Sequence, residues 1–358
     1  MPHILTVKLA DRSYDIVIGK KTIRSLPAVL KESAFSKKGA VITDQSVGPH
    51  YLPLVREMVH STGAELVECI VPPGENSKSL AYYGEVLRPL AQARLDRHSF
   101  LIALGGGVVG DLAGFVAATY LRGIPFLQIP TTLLAMVDSS VGGKTGINLP
   151  EGKNLVGCFH QPDRVIIDFD LLETLEGREY RAGLAEVVKY GMIADPDLFG
   201  FVEQNAPSLL SKKSVALAHI IRRSCEIKAE VVSADERETT GHREILNFGH
   251  TVGHAIENVA GYGEILHGEA VAMGLLAECR LSEKHLGFPV AESERLRRVL
   301  LSLRLPVDIP PLNREALLNA MSRDKKNRNG RLRFVLAEKI GTVRTGIEIP
   351  EREIFGSP

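Results

Sequence analysis

Two histidines four residues apart, His250 and His254, share one face of any helix that contains them, and a third, His267, opens a further helical pattern. Imidazoles so placed hold metals or move protons. Upstream, Ala185-Glu186-Val187-Val188-Lys189 puts a carboxylate and an ammonium three residues apart on an otherwise apolar helical run. An apolar helix rarely turns a charge inward without a partner, and a cation is the obvious partner for Glu186. Two imidazoles and a carboxylate, with positions left open for substrate oxygens, form the donor set of a catalytic zinc-type site. The same residues would also serve as hydrogen-bonded core histidines beside a surface Glu–Lys pair, and spacing does not separate the two readings.

A second chemistry, anion binding, is written in glycines and lysines. Gly105, Gly107 and Gly110, with Gly106, Val108 and Val109 between them, satisfy G-x-G-x-x-G directly after an apolar run and before a helical pattern starting at Asp111. In that setting the N–H groups of a helix start can approach a pyrophosphate; ordinary tight packing uses glycines in the same way. The acid expected about twenty residues downstream in a dinucleotide fold is missing. Asp44, at the end of an earlier strand candidate, could instead accept a bond from a ribose hydroxyl or cap a helix. The turn from Pro72 to Lys78, containing Glu75 and Asn76, and the pair Thr131-Thr132 also follow strand candidates, where ligands bind in open α/β sheets. The segment Met136 to Gly146 is too polar and glycine-rich for core. Lys144 and Lys153, flanked by glycines and followed in the second case by Asn154, read as anion ligands on mobile backbone.

These residues need elements to hold them. Ala40 to Thr43, Phe100 to Leu104, Phe126 to Ile129 and Val165 to Ile167 are strand candidates alternating with helical patterns, which implies a parallel sheet wrapped by helices. Met1 to Ala10 alternates as an edge strand does. Beyond Arg178 long amphipathic patterns take over, at Tyr180 to Ile193, Val215 to Val232, His250 to Val259 and Gly268 to His285. The expectation is an α/β Rossmann-like parallel-sheet domain over residues 1–177 and a mostly α-helical metal- and substrate-binding domain over 178–358. The basic run Arg323 to Arg333 reads as a solvated loop from which one lysine reaches a site.

Composition narrows the partners. Forty-three basic residues balance forty-three acidic ones over 358 residues, so no overall field favours nucleic acid or an anionic membrane. The apolar stretch Phe100 to Leu121 is long enough for a bilayer, but its glycine cluster breaks it into strand, turn and helix. Cys69, Cys158, Cys225 and Cys279 are widely spaced, which fits a reducing cytoplasm better than a disulfide scaffold or zinc ribbon.

The glycine loop with Asp111, Met136 to Gly146, Gly152-Lys153-Asn154, Gly183 to Lys189, Asn247 to His254 and His267-Gly268-Glu269 stand in the order and spacing of the dehydroquinate synthases, and over most of residues 40–285 the chain resembles these sugar phosphate cyclases of the shikimate pathway. Cys158 stands where that family would carry alanine. The resemblance implies Glu186, His250 and His267 as ligands of a divalent metal, Zn2+ or Co2+. It implies an NAD site at Asp44, Glu75, Asn76, Lys78, residues 105–111, Thr131, Thr132 and Thr174, with Lys144 and Lys153 nearby. It places Asp138, Lys144, Lys153, Asn154, Lys189, Lys228, Arg243, Asn247, His254 and Lys325 or Lys326 around an acidic sugar phosphate. Arg122 would cross a homodimer interface to help hold the phosphate. His254, by this reading, is near the metal but not on it. The rival in fold is a metal-dependent polyol dehydrogenase of the glycerol dehydrogenase type, which would need few of these lysines. A cyclase acting on another sugar phosphate and a catalytically silent sugar-phosphate or nucleotide sensor are further alternatives.

Overall fold

Near-continuous apolar runs build the middle of the main sheet, because helices cover both faces of a parallel sheet and its central strands are buried on both sides. In the computed structural model, which describes residues 2–10, 12–33, 35–261, 263–323 and 332–355, the nine strands of the first part are β1 (His3–Val7), β2 (Tyr14–Gly19), β3 (Lys38–Asp44), β4 (Glu65–Val71), β5 (Phe100–Gly105), β6 (Phe126–Pro130), β7 (Lys144–Leu149), β8 (Gly152–Phe159) and β9 (Arg164–Asp168). Seven form one sheet in the order β1-β2-β9-β6-β5-β3-β4, parallel except for the antiparallel edge pair β1–β2. All residues of β5 and of β6 are buried. The N-terminal strand lies at the sheet edge, as its alternation predicts.

β7 and β8 form a separate antiparallel hairpin. This corrects the expectation of mobile backbone around Lys144 and Lys153, since both lysines lie on paired strands. The physical reason is that Ile147, on β7, is fully buried in the core cluster under the sheet, with Val156 of β8 packed against it.

The second part is helical: Gly177–Ile193, Pro196–Leu210, Ser214–Ala234, His250–Ala260, His267–Leu286 and Val290–Ser302 are its longer helices. A hairpin escaped the sequence reading: β10 (Leu332–Lys339) pairs antiparallel with β11 (Thr342–Ile349) about Gly341, whose φ of 87° suits the turn. The hairpin's Leu332, Phe334, Leu336 and Ile349 join Val252, Ile256, Met273 and Leu281 of the helices in one core.

By compactness the chain divides into one unit of Met1–Leu175 with Lys228–Arg237, and another of Glu176–Ile227 with Glu238–Pro358. A single cut at 177/178 therefore misses one segment. The end of the helix Ser214–Ala234 belongs with the sheet unit because Lys228 donates hydrogen bonds there to Asp138, a long-range tie that no local pattern reveals.

Candidate active site

In the helical unit the cluster begins with Glu186, which is 0% exposed on the helix Gly177–Ile193. Its Oε2 is in an ion pair with the buried Lys189, so the surface-pair reading fails. His250 Nε2 and His267 Nε2 each lie 3.4 Å from the same oxygen, Glu186 Oε1. Neither Glu186 oxygen completes a well-formed hydrogen bond, although three nitrogens crowd it. A carboxylate desolvated in this way, with two imidazole nitrogens converging on one of its oxygens, suits a cation.

The imidazoles are oriented from behind. His250 Nδ1 donates to the Phe248 carbonyl at 3.2 Å and His267 Nδ1 donates to Glu257 Oε2 at 3.0 Å, which turns both Nε2 atoms toward Glu186. The ring of His254 stands edge-on to His250 with centroids 5.2 Å apart and is exposed. Donor nitrogens of all three histidines lie within 4.8 Å of one another.

The electrostatics follow. Burial opposes ionisation of Glu186, but Lys189 and His250 outweigh it and hold the carboxyl well below its usual range. Burial, reinforced by Lys189, lowers His250. For His267 burial also acts downward, yet the neighbouring carboxylates of Glu186 and Glu257 prevail and push it up to about 10.

Glycines bring the three helices that carry Glu186, His250 and His267 together. A Cβ on Gly268, next to His267, would lie 1.8 Å from the Ala182 carbonyl oxygen of the Glu186 helix. One on Gly274 would lie 2.0 Å from the Gly249 carbonyl, beside His250. The buried Glu278 completes the frame by accepting from the N–H groups of Gly249 and Val252 at the start of the His250 helix. Arg243 is 2% exposed in the short turn His242–Asn247 that leads to that helix, with its Nε 3.4 Å from Glu238 Oε1. Asn247 ends the same turn.

In the sheet unit the glycine loop joins β5 to a helix starting at Gly107, four residues earlier than expected. Gly106 caps it with no side chain to satisfy the first N–H groups. The three glycines of the motif differ: a Cβ on Gly105 would strike Val109 at 2.6 Å, whereas Gly107 and Gly110 face Ser139 and Gln128 at 3.0 and 3.2 Å. Buried hydroxyls of Thr131, Ser139 and Ser140 lack hydrogen-bond partners, whereas Thr132 caps the next turn by accepting from Ala135. Unsatisfied helix-start donors beside a glycine cradle suit a phosphate-bearing nucleotide.

Around this loop Lys78 donates to Asp111 at 2.6 Å and lies 3.7 Å from Glu75. Burial alone would lower Lys78, but Asp111 and Glu75 hold it raised. Glu75 accepts from Asn148, whose own side-chain oxygen accepts from the Asn154 backbone, so β7 and β8 are tied to the 72–78 turn. Asn76 lies in that turn, in the short helix Glu75–Ser77. Lys228 Nζ meets both the Asp138 carboxylate and the Asp138 carbonyl at 2.7 Å.

Three further residues of the expected site have local surroundings of their own. Asp44 Oδ1 accepts from the N–H groups of Ser46 and Val47 and so shapes the turn that precedes the helix Gly48–His60, whose N-cap is Val47. Thr174 shares a hydrogen bond of 2.7 Å with the Tyr51 hydroxyl. Arg122 is exposed on a turn where Leu121 and Arg122 take φ of 52° and 68°. Lys325 and Lys326 lie outside the described residues.

Sequence reasoning missed Glu257, Glu238 and Glu278. A signal existed for Glu257: positions 250, 254 and 257 share one helical face, so a carboxylate there points where the histidines point.

Comparison with known proteins places the chain in a family. Residues 68–182 match the family model "3-dehydroquinate synthase N-terminal" and residues 183–327 match "3-dehydroquinate synthase C-terminal". The 3-dehydroquinate synthase of Geobacter metallireducens is 51% identical over 94% of this chain and 93% of its own length. That of Desulforamulus reducens is 46% identical over 98% of both. Among solved structures, 2-epi-5-epi-valiolone synthase from Streptomyces hygroscopicus with NAD+ and Zn2+ bound superimposes with a TM-score of 0.88 at 29% identity, covering 97% of this chain and 96% of that one. A 2-deoxy-scyllo-inosose synthase complexed with carbaglucose-6-phosphate, NAD+ and Co2+ gives 0.89 at 26%, covering 98% of each. Glycerol dehydrogenase from Schizosaccharomyces pombe, at 17% identity and 0.64 over 86% of this chain and 82% of that one, shares the fold alone. Identity of this extent over nearly the whole length, with both family models matched in order, means that the chain belongs to the 3-dehydroquinate synthase family.

Proposed function

We propose that the chain converts 3-deoxy-D-arabino-heptulosonate 7-phosphate to 3-dehydroquinate and phosphate, using NAD and a divalent metal, zinc or cobalt. The observation that carries the reading is the fully buried Glu186 with His250 and His267 both 3.4 Å from one of its oxygens. When bound, NAD takes up a hydride and returns it within one turnover, and the metal lowers the cost of negative charge on substrate oxygens.

The chain's own groups account for the rest. Glu186, His250 and His267 hold the cation. The helix start at Gly107, with Gly105, Gly106, Val108, Val109, Gly110, Asp111, Thr131 and Thr132, receives the nucleotide, whose remaining contacts come from Asp44, Glu75, Asn76, Lys78 and Thr174. Loss of phosphate moves negative charge, which Lys144, Lys153, Lys189 and Lys228 neutralise. Asp138, held by Lys228 at 2.7 Å, is fixed for hydrogen bonding to substrate, as is Asn154 on the hairpin. His254, exposed beside the ligand imidazoles, transfers a proton between substrate and solvent. Arg243 reads the substrate carboxylate with its planar guanidinium, assisted by Asn247. The protein works in the cytoplasm as a homodimer in which Arg122 reaches the phosphate of the neighbouring subunit.

The test is direct. The enzyme, with divalent metal and trace NAD, is offered the C7 acidic sugar phosphate and, separately, a heptulose 7-phosphate lacking the carboxylate, and products are identified by NMR. Formation of 3-dehydroquinate and phosphate from the first alone is expected. Turnover of the second with equal efficiency would assign the chain to a different cyclase reaction.

A further inference from the structure

The two imidazoles that flank Glu186 differ in what stands behind them. His250 gives its Nδ1 proton to a neutral carbonyl, that of Phe248 at 3.2 Å, whereas His267 gives its own to a carboxylate, Glu257 Oε2 at 3.0 Å. Glu257 is 7% exposed and sits on the helix that carries His250, while His267 opens the neighbouring helix. Burying a carboxylate is costly unless its charge is used. A neutral acceptor such as a glutamine would tie the two helices together without that cost, and a neutral carbonyl, that of Phe248 just before its helix, is what orients His250.

We propose that Glu257 is a positioning residue of the metal centre, holding His267 with its proton on Nδ1 so that Nε2 is offered to the divalent cation, and strengthening that nitrogen as a donor through its negative charge. The inference rests on the metal-site reading given above. A carboxylate bonded to the distal nitrogen of a ligand imidazole fixes ring orientation and tautomer and increases the electron density at the other nitrogen. The charge also remains next to the cation through one ring, so Glu257 offsets part of the ion's positive charge without occupying a coordination position. The open positions stay open for substrate oxygens.

The experiment measures metal affinity, not turnover. Zinc is titrated into the metal-free full-length protein against a chromophoric chelator for the wild type, Glu257→Gln and Glu257→Ala, beside the melting temperature of each metal-free form. Glu257→Gln keeps the shape and a hydrogen-bond acceptor but loses the charge, so a role in helix packing alone would survive it. The expected result is a Kd for zinc raised roughly ten- to a hundredfold in Glu257→Gln and further in Glu257→Ala, with metal-free Glu257→Gln still folding cooperatively, its melting temperature lowered only by the lost Glu257–His267 ion pair. Zinc affinity of Glu257→Gln within twofold of wild type, or a metal-free Glu257→Gln that no longer folds cooperatively, overturns the proposal. A wild type that binds no zinc would instead sink the metal-site reading itself.

Discussion

The sheet unit and the helical unit build their sites in opposite ways. In the helical unit the proposed metal site is made of side chains locked by close packing: three helices meet at glycines whose Cβ atoms would overlap neighbouring backbone at 1.8 and 2.0 Å, and Glu186, His250 and His267 converge as a consequence. In the sheet unit the proposed nucleotide site is made of backbone and of polar side chains already engaged with one another, the helix start at Gly107 and the chain Asp111–Lys78–Glu75–Asn148–Asn154. A metal centre of the first kind is all-or-none, because one missing ligand removes the ion. A nucleotide site of the second kind loses affinity in increments, because each contact is one of many.

The sharpest break of that comparison is His250→Ala against His254→Ala. Removing His250 should leave the protein without stoichiometric metal and cut turnover by about 10⁴-fold or more. His254→Ala should retain its metal while turnover falls roughly 10²–10⁴-fold, the scale of a lost proton-transfer group. Elemental analysis beside rate measurement separates them, and equal loss of metal in both would place His254 among the ligands.

Next in size is Gly268→Ala against Gly107→Ala. The first adds a methyl 1.8 Å from the Ala182 carbonyl and must push two ligand-bearing helices apart, so zinc affinity should fall at least tenfold with NAD affinity unchanged. The second meets only the Ser139 hydroxyl at 3.0 Å and should weaken NAD by about 1 kcal/mol while leaving zinc affinity alone. Titration of both ligands into both variants checks the pair, and a crossed pattern would undo the division of labour.

The smallest effect is one of protons. His267, pushed up to about 10 in the metal-free protein, carries its second proton at pH 8, and a cation taking Nε2 must expel it. Metal binding at pH 8 should therefore release about one proton, and affinity should rise with pH until that proton has been lost near pH 10. Calorimetry in two buffers of different ionisation enthalpy reads the number. No release would mean that His267 is already neutral at Nε2 or lies off the metal.

The contrast also explains what the sequence made legible. Glu186 was visible because a charge on an apolar helix is locally anomalous, and the histidines because their spacing is periodic. The parallel sheet was visible in apolar runs such as Phe100 to Leu104. Glu257 was overlooked because its partner His267 is reached through tertiary packing, although its own helix face pointed the right way. The Lys228–Asp138 contact, ninety residues apart, has no local signature at all. The β10–β11 hairpin lacks a regular alternation, since Phe334, Val335, Leu336 and Ala337 are all buried in succession beside register shifts in the ladder.

The central claim is that hydride leaves and returns within one turnover of a phosphate-eliminating cyclase. Its most direct test supplies the enzyme with the C7 sugar phosphate, divalent metal and NAD far below the substrate concentration, and follows inorganic phosphate and NADH absorbance in the same cuvette. Phosphate should exceed the NAD supplied many times over while NADH does not accumulate. NADH rising in step with substrate consumed, and stopping when NAD is exhausted, would contradict the account and make the chain a dehydrogenase.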